Sequence, residues 1–254
     1  MIAPDDPAQA LDAIVEEAFR VLPAHALTDL GVCGCPVCMS IEDQASAART
    51  DRREIPDEMV GTWLGSAKGD DNLVSVEVAE HLGPRLLMFV RDDPDLHGVE
   101  FVLDAVRFGD RDRWPGERGA FLDRAALAIL DRLRGNIHRG GRLSGTRLDD
   151  TLCMLARGGF AVAPLLARIE VWPDRDLVRR LWADWVGWCR SPYIRRTAFW
   201  EDERVKDPSR AVGAWYVGPA VRAKVDRFLE ITPTDDPDWD RAADVEAVLA
   251  TATR

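Results

Sequence analysis

Three cysteines lie close together in the segment Cys33-Gly-Cys35-Pro-Val-Cys38. The two-residue spacing between Cys35 and Cys38 is typical of a zinc knuckle, in which two thiolates from one tight turn bind the same tetrahedral ion. Cys33 adds a third candidate ligand. A closed zinc site needs four ligands, and the candidates for the fourth position are His25, Cys153 and Cys189. The sequence therefore predicts a site of Cys33, Cys35, Cys38 and His25 that holds one zinc ion or none.

Two other interpretations of this cluster stay open. The second cysteine pair that would make a zinc site specific is missing from the sequence. Without a metal, the thiols would be small buried side chains that fix a loop, since free cysteine is among the most buried residue types. A redox role is the third interpretation, because a helix amino terminus directly after the cluster lowers a thiol pKa. The unpaired motif favours the structural interpretation first, zinc second and redox chemistry third.

A second candidate site combines Glu77, Glu80 and His81 on one predicted helix. Glu77 and His81 are four residues apart and share a helical face, a geometry that can ligate a metal or exchange a proton. The second His of a zinc-protease helix is absent, so a solvated helix face is the favoured interpretation. A deep polar pocket around these side chains would be the sign of an enzyme. No nucleophile elbow or kinase signature is present, and nothing in the sequence requires catalysis.

The densest acidic segment is Asp235-Asp236-Pro237-Asp238-Trp239-Asp240. One interpretation is a docking surface for a cationic partner, in which Trp239 is the anchor and Asp235, Asp236, Asp238 and Asp240 supply charge. The other is a helix start, with Asp236 as cap, Pro237 at the first position and acids that complement the helix dipole.

The chain has 254 residues, and 33 Lys and Arg against 44 Asp and Glu give a formal net charge of −11. This balance argues against nucleic acid or an anionic membrane as partner, because both are bound through clustered Lys and Arg. No apolar run approaches the ~20 residues of a membrane span, and the amino terminus carries acids where a signal peptide is basic. Five cysteines suit reduced thiols better than a disulfide framework. We therefore expect a cytoplasmic protein.

Helical periodicity dominates the elements that must position these residues. The apolar pattern, the caps and the prolines predict about ten helices joined by short loops, including one over 41–49, one that begins after Pro56, one over 95–108 and one over 237–251. Residues 72–91 also have a helical pattern, with Pro84 as either a kink or a boundary. The predicted fold is all-α, a multi-helix bundle or an array of solenoid-like helix pairs.

The glycine-rich stretch 135–147, which includes His138-Arg139-Gly140-Gly141-Arg142, is the least regular part of the sequence. Its glycines and arginines are suited to an anion, but their spacing fits neither a P-loop nor a dinucleotide fingerprint. A linker is the favoured interpretation. We expect residues 1–254 to form one helical domain, and 135–147 is the place where two lobes would divide.

Four short motifs carry a resemblance to a known family. They are the run Glu17-Ala-Phe-Arg-Val-Leu-Pro23, the pair Cys35-Pro-Val-Cys38, the step Arg53-Glu-Ile-Pro-Asp-Glu58 and the step Gly83-Pro-Arg-Leu-Leu87. Over residues 16–90 the chain resembles an uncharacterised bacterial family of helical proteins with a close-cysteine cluster near the amino terminus. It departs from that family at Gly83, where a large residue is usual, and at Met88, where an acid is usual. The resemblance implies a helical fold and a cysteine loop that has a role, structural or chemical, and it transfers no activity.

Charge, the nine Trp residues and the missing catalytic motifs lead to one hypothesis of function. The chain is predicted to be a non-enzymatic protein-interaction module, such as an acidic immunity-type or inhibitor protein that binds a basic partner. The alternative is a small zinc-binding or thiol-redox protein built on Cys33, Cys35 and Cys38. Oligomeric state is left open by the sequence.

Overall fold

The computed structural model describes residues 7–69, 72–92, 102–134, 147–186, 193–194 and 196–252. These residues form eleven α-helices and two short 3-10 turns, and no β-strand occurs among them, so the predicted all-α fold is confirmed. The helices are α1 (Pro7–Val21), α2 (Ile41–Arg49), α3 (Asp57–Gly65), α4 (Val76–Asp92), α5 (Gly116–Arg132), α6 (Leu148–Arg157), α7 (Val162–Glu170), α8 (Asp174–Trp185), α9 (Lys206–Tyr216), α10 (Pro219–Ile231) and α11 (Pro237–Ala252). The 3-10 turns are Ala198–Glu201 and Glu203–Val205.

Helix starts follow the caps and prolines of the sequence. Ser40 precedes α2, and its hydroxyl accepts the backbone N–H of Asp43 at 3.1 Å, which satisfies a donor that the first helical turn leaves free. Pro219 and Pro237 occupy the first positions of α10 and α11, where a missing N–H loses no hydrogen bond. The bounds predicted for the helices over 41–49 and 237–251 are therefore confirmed to within two residues.

Helix α4 continues through Pro84, where the sequence left a boundary open. The residue before that proline is Gly83. It lies where α4 packs against the end of α1 and against the segment 102–108. A Cβ at Gly83 would lie 2.8 Å from Leu22 Cδ1 and 2.9 Å from Phe108 Cζ. The close crossing of these elements therefore depends on a residue without a side chain.

Residues 102–108 form turns. The prediction of a helix over 95–108 is therefore wrong for the part of this range that the structure describes. Val102, Leu103 and Val106 are nevertheless buried, which explains the helical period of the apolar positions. Gly109 donates its N–H to the carbonyl of Gly158 at 2.8 Å, and this close backbone contact holds the segment in place. The residues before 102 in that prediction lie outside the described part of the chain.

One continuous core of buried apolar side chains extends from α1 to α11. Helix α1 packs against α4 and α5, and α8 packs against α10 and α11. Helices α6 and α7 contact α5 on one side and α8 or α9 on the other, so they connect these two groups. The predicted lobe boundary at 135–147, with His138, lies outside the described residues except for its last position. None of the described helices combines the length and the apolar character needed to cross a bilayer.

Candidate metal centre

The three clustered cysteines lie in the segment between α1 and α2, and we call residues 30–39 the cysteine loop. The side-chain amide of Gln44, which is buried in α2, holds both ends of this loop. Its Oε1 accepts the N–H of Leu30 at 3.3 Å, and its Nε2 donates to the carbonyls of Val32 and Met39, both at 3.1 Å. One buried amide thus satisfies loop backbone groups that would otherwise lack partners.

The carboxyl end of α3 supports the other side of the cysteine loop. The Ser66 hydroxyl accepts the N–H of Met39 at 2.8 Å. The backbone of Ala67 makes two contacts: its carbonyl accepts the N–H of Cys33 at 2.7 Å, and its N–H donates to Cys38 Sγ at 3.4 Å. Contacts within the protein alone therefore fix the loop between two helices.

The Sγ atoms of Cys33, Cys35 and Cys38 all lie within 4.8 Å of one another. The Cys38 N–H donates to the carbonyl of Cys35 at 2.9 Å and closes the tight turn between them. The Cys35 N–H donates to Cys33 Sγ at 3.4 Å. A zinc–sulfur bond of ~2.3 Å places two thiolates of a tetrahedral site about 3.8 Å apart, so the three sulfur atoms need to move by only about 1 Å to share an ion.

The thiols differ in acidity. The backbone N–H of Val37, followed by the Cys33 and Cys38 side chains, lowers the pKa of Cys35 to about 7. The N–H of Cys35 acts to lower the pKa of Cys33, but the hydrogen bond with the Cys35 thiol and desolvation raise it overall. Cys35 therefore ionises at a lower pH than Cys33, and a thiolate is the form that binds a metal.

Lys68 places a positive charge beside the cysteine loop. Its Nζ donates to the carbonyls of Trp63, Leu64 and Ser66 at 2.8–3.2 Å and lies 4.7 Å from the centre of the Trp63 ring. Burial lowers the pKa of Lys68 to about 8, and the negative charges of Asp104 and, to a smaller extent, of Cys38 oppose that shift. Lys68 therefore places its ammonium where it attracts a negative charge on Cys38.

The described candidates for the fourth ligand, His25 and Cys153, do not lie with the three cysteines. His25 Nε2 lies 2.5 Å from Glu80 Oε2, the His25 N–H lies 3.5 Å from His81 Nδ1, and His25 is not part of the group whose ligand atoms converge. Cys153 is buried in α6, inside the apolar core. Cys189 lies outside the described residues. Among the described residues the group that could hold a metal ion consists of the three cysteines.

Helix α4 buries two of the three residues of the second candidate site. Glu80 and His81 have almost no solvent exposure, so the interpretation of a solvated helix face is wrong for them, while Glu77 is exposed. Glu80 accepts from His25 on one oxygen and from Arg118 on the other. Burial, and next the charge of Arg52, lower the pKa of His81, which keeps the imidazole neutral. The group is an internal ion pair that joins α4, α5 and the segment after α1.

A polar pocket lies on the outer side of this ion pair, between the end of α1 and the start of α5. Its lining residues are Glu17, Arg20, Val21, Pro115, Glu117 and Arg118. Glu77, Glu80 and His81 do not line it, so it is not the deep polar pocket that an enzyme centred on them would have.

The acidic segment begins α11. Asp238 has 0% exposure and pairs with three arginines: Arg179 at 2.6 Å, Arg241 at 2.6 Å and Arg175 at 2.8 Å. Asp236 pairs with Arg175 at 2.7 Å and accepts the N–H of Asp238 at 2.9 Å. Two of the four carboxylates are therefore neutralised within the chain, and Asp236 caps α11 as the helix-start interpretation predicts.

The remaining residues of the acidic segment are accessible. Asp235 and Asp240 are exposed, and Trp239 is half-buried. A partner can reach these three side chains of the predicted docking surface, and Asp236, which is also half-buried, is paired with Arg175.

Sequence reasoning missed a group of buried carboxylates at the start of α6. Asp149 accepts the N–H of Thr197 at 2.6 Å and the Trp200 Nε1–H at 3.1 Å, and it pairs with Arg196 at 2.7 Å. Burial raises the pKa of Asp149 to about 6, although these contacts oppose the shift. An Asp in a first helical turn normally complements the helix dipole, so nothing in the sequence distinguished this one.

Asp184 of α8 has a similar environment. It accepts the N–H of Leu148 at 2.8 Å and pairs with Arg180 at 2.7 Å, and burial raises its pKa. The two carboxylates join α6, α8 and the segment before α9.

Comparison of the chain with protein-family models, with curated proteins and with solved structures finds no match. The fold and the site alone define its class: an all-α protein in which the loop between the first two helices brings three thiols together.

Proposed function

We propose that this protein binds one soft metal ion, Zn²⁺ first, through Cys33, Cys35 and Cys38. The observation that carries the proposal is the convergence of three Sγ atoms within 4.8 Å of one another. Thiolate sulfur is the donor that zinc and copper(I) sites favour in proteins.

The exposure of the thiols supports a metal over a purely structural role. Cysteines that serve only to pack are small buried side chains, as Cys153 is in α6. Cys33 is exposed, and Cys35 and Cys38 are only partly buried. The interpretation of the cluster as packed side chains therefore loses its main premise.

The hydrogen bonds of the cysteine loop also support the proposal. Backbone N–H groups from Cys35 and Ala67 point at two of the sulfur atoms. Such donors stabilise the negative charge of a thiolate and orient it toward a metal. Gln44 and Ser66 fix the loop independently, so the ligands are preorganised rather than gathered by the ion.

A metal bound by these thiolates would add stability to the cysteine loop and to its contacts with α2 and the end of α3. Binding to the folded chain alone shifts the unfolding equilibrium by mass action. The same chemistry requires reduced thiols, and we therefore propose a reducing compartment, the cytoplasm, as the place where the protein works.

The alternative proposal is a protein-interaction module that binds a basic partner. The accessible residues Asp235, Trp239 and Asp240 support it, but Asp236 and Asp238 are paired with arginines of the same chain. The geometry therefore supports the metal site more directly.

The test measures metal content and affinity. The wild-type chain, purified without chelator, should carry one zinc ion, and Co²⁺ should produce sulfur-to-metal charge-transfer bands. Cys35→Ser should weaken metal binding by more than about 100-fold. Loss of an outer-shell partner costs at most about that factor, and loss of a direct ligand should cost more. Cys153→Ala is the matched control, because it removes one thiol and leaves the loop intact. A folded wild-type chain that gives no charge-transfer band would overturn the proposal.

A further inference from the structure

Three thiolates leave a tetrahedral ion one ligand short. Structural zinc sites are closed by four protein ligands, whereas sites with three keep one position for an exchangeable group. In the described part of the chain no His, Cys, Asp or Glu joins Cys33, Cys35 and Cys38. The geometry of the loop is thus that of an open site.

The nearest candidate in the sequence, His25, is held by other contacts. Its Nε2 pairs with the buried carboxylate of Glu80 at 2.5 Å, and Arg118 is the other partner of that carboxylate. A move of His25 to the metal would leave Glu80 buried with one partner fewer, which is a costly change. The ion pair therefore keeps His25 away from the cysteine loop.

The open side of the cluster is accessible from solvent. Cys33 is exposed, and the turn between Cys35 and Cys38 presents Val37 with 93% of its surface free. The buried parts of the loop, Leu30 and Met39, lie at its two ends. A ligand from outside can reach the metal without any movement of the core.

The donor set selects the kind of ligand. Soft thiolate ligands select ions such as Zn²⁺ and Cu(I), and four thiolates are a common ligand set of closed zinc sites. A fourth thiolate adds negative charge, and the ammonium of Lys68 beside the loop offsets part of it. We propose that the fourth position takes a thiolate from outside the chain, supplied by a small thiol or by a cysteine of a second chain. This inference rests on the proposed metal site.

The exchange involves no electron transfer. The bond between the metal and a solvent water breaks, a metal–sulfur bond forms, and the proton of the incoming thiol passes to the buffer. The metal keeps its oxidation state and its three protein ligands throughout.

Glutathione added to the Co²⁺-loaded protein tests the inference. The d–d bands of tetrahedral Co²⁺ move to longer wavelength as the number of thiolates rises, so we expect a red shift and added charge-transfer intensity that saturate at one thiol per metal. The ion should stay with the protein on gel filtration. S-methylglutathione, which lacks the thiol, is the matched control and should leave the spectrum unchanged.

The outcomes separate the two proposals. One outcome is a four-thiolate spectrum that appears without added thiol, grows with protein concentration and accompanies a dimer. This outcome would support the inference and would identify a second copy of the chain as the source of the thiolate. A four-thiolate spectrum in a monomer would overturn it, and loss of that spectrum in Cys189→Ser would identify the ligand. A spectrum that responds to imidazole and not to glutathione would also overturn it. Absence of metal binding by the folded chain rejects the proposed site itself, and with it this inference.

Discussion

The backbone N–H of Ala67 donates to Cys38 Sγ at 3.4 Å, although the two residues are 29 positions apart in the sequence. The carbonyl of Ala67 accepts the N–H of Cys33 at 2.7 Å. Ala67, a single residue that follows α3, therefore contacts both ends of the cysteine cluster. The candidate metal centre is assembled from two segments, and the sequence motif covers only one of them.

Ala67→Pro removes the N–H that Cys38 accepts. The preceding residue, Ser66, has φ −78° and ψ 144°, an extended conformation that tolerates a following proline. We expect a loss of metal affinity of about 10–100-fold, the range for outer-shell partners of metal ligands. A competition titration with a chromophoric chelator measures it. Ala67→Ser keeps the N–H and should bind like wild type, and equal affinity in the two variants would contradict the role of this contact.

Gly34→Ala should displace the cysteine loop. A Cβ at Gly34 would lie 2.7 Å from Ile41 Cγ1, closer than real Cβ contacts. Overpacking of this kind costs about 1–3 kcal/mol, so we expect metal affinity to fall by about tenfold. Ile41 is 68% exposed, and its truncation to Ala removes the clash at little expense to the fold.

The double variant Gly34→Ala with Ile41→Ala should therefore recover most of the wild-type metal affinity. Recovery in this double-mutant cycle isolates the contact between the two side chains. Additive losses in the Co²⁺ titration would show that Gly34 acts in another way, for instance through its backbone.

Local signals were sufficient to predict much of the fold. Ser40, Pro56, Pro219 and Pro237 each act within one turn of the helix that they start, so the bounds of those helices follow from neighbours in sequence. The segment 102–108 differs, because its apolar period reflects burial rather than a helix. Its turns depend on the distant backbone contact between Gly109 and Gly158, which periodicity does not reveal.

The candidate metal centre likewise combines features that the local sequence predicts with tertiary contacts that it does not. The convergence of Cys33, Cys35 and Cys38 follows from their spacing on one short loop. The contributions of Ala67 and Lys68 come from a segment about 30 residues later, and no pattern in the sequence links the two. The engagement of His25 with Glu80 is likewise a tertiary contact, which is why spacing alone made His25 a candidate ligand.

Asp238→Asn should lower the stability of the fold, because Asp238 is a buried structural residue and not an accessible docking residue. The carboxylate is buried and pairs with Arg175, Arg179 and Arg241. We expect the free energy of unfolding to fall by about 2–3 kcal/mol, below the range for fully buried pairs because the arginines are partly exposed. Urea denaturation measures it. Asp240→Asn, at an exposed position in the same turn, is the control and should change stability by less than about 0.5 kcal/mol.

The same pair of variants tests the basic-partner hypothesis. A partner that docks on this segment should lose affinity with Asp240→Asn, since Asp240 is exposed and Asp238 is not. Equal destabilisation by both substitutions would contradict the structural role assigned to Asp238.

The buried Asp149 should make stability depend on pH between about 4 and 6. Its folded pKa of about 6 lies above the ~3.9 of an unfolded aspartate. The folded state therefore binds more protons in this window, and its free energy of unfolding falls as pH rises. Asp149→Asn should remove up to about 2–3 kcal/mol of that change, measured by urea unfolding from pH 4 to 7.

Asp202→Asn is the control for this pH dependence. Arg204 holds the pKa of Asp202 well below its usual range, so the stability that Asp202 contributes is lost only as pH falls below about 4. This variant should keep the wild-type slope between pH 4 and 6. Burial also raises the pKa of Asp184, so part of the slope should remain in Asp149→Asn. An unchanged slope in Asp149→Asn would show that Asp149 is ionised in the folded chain throughout this window, with Arg196 compensating its burial.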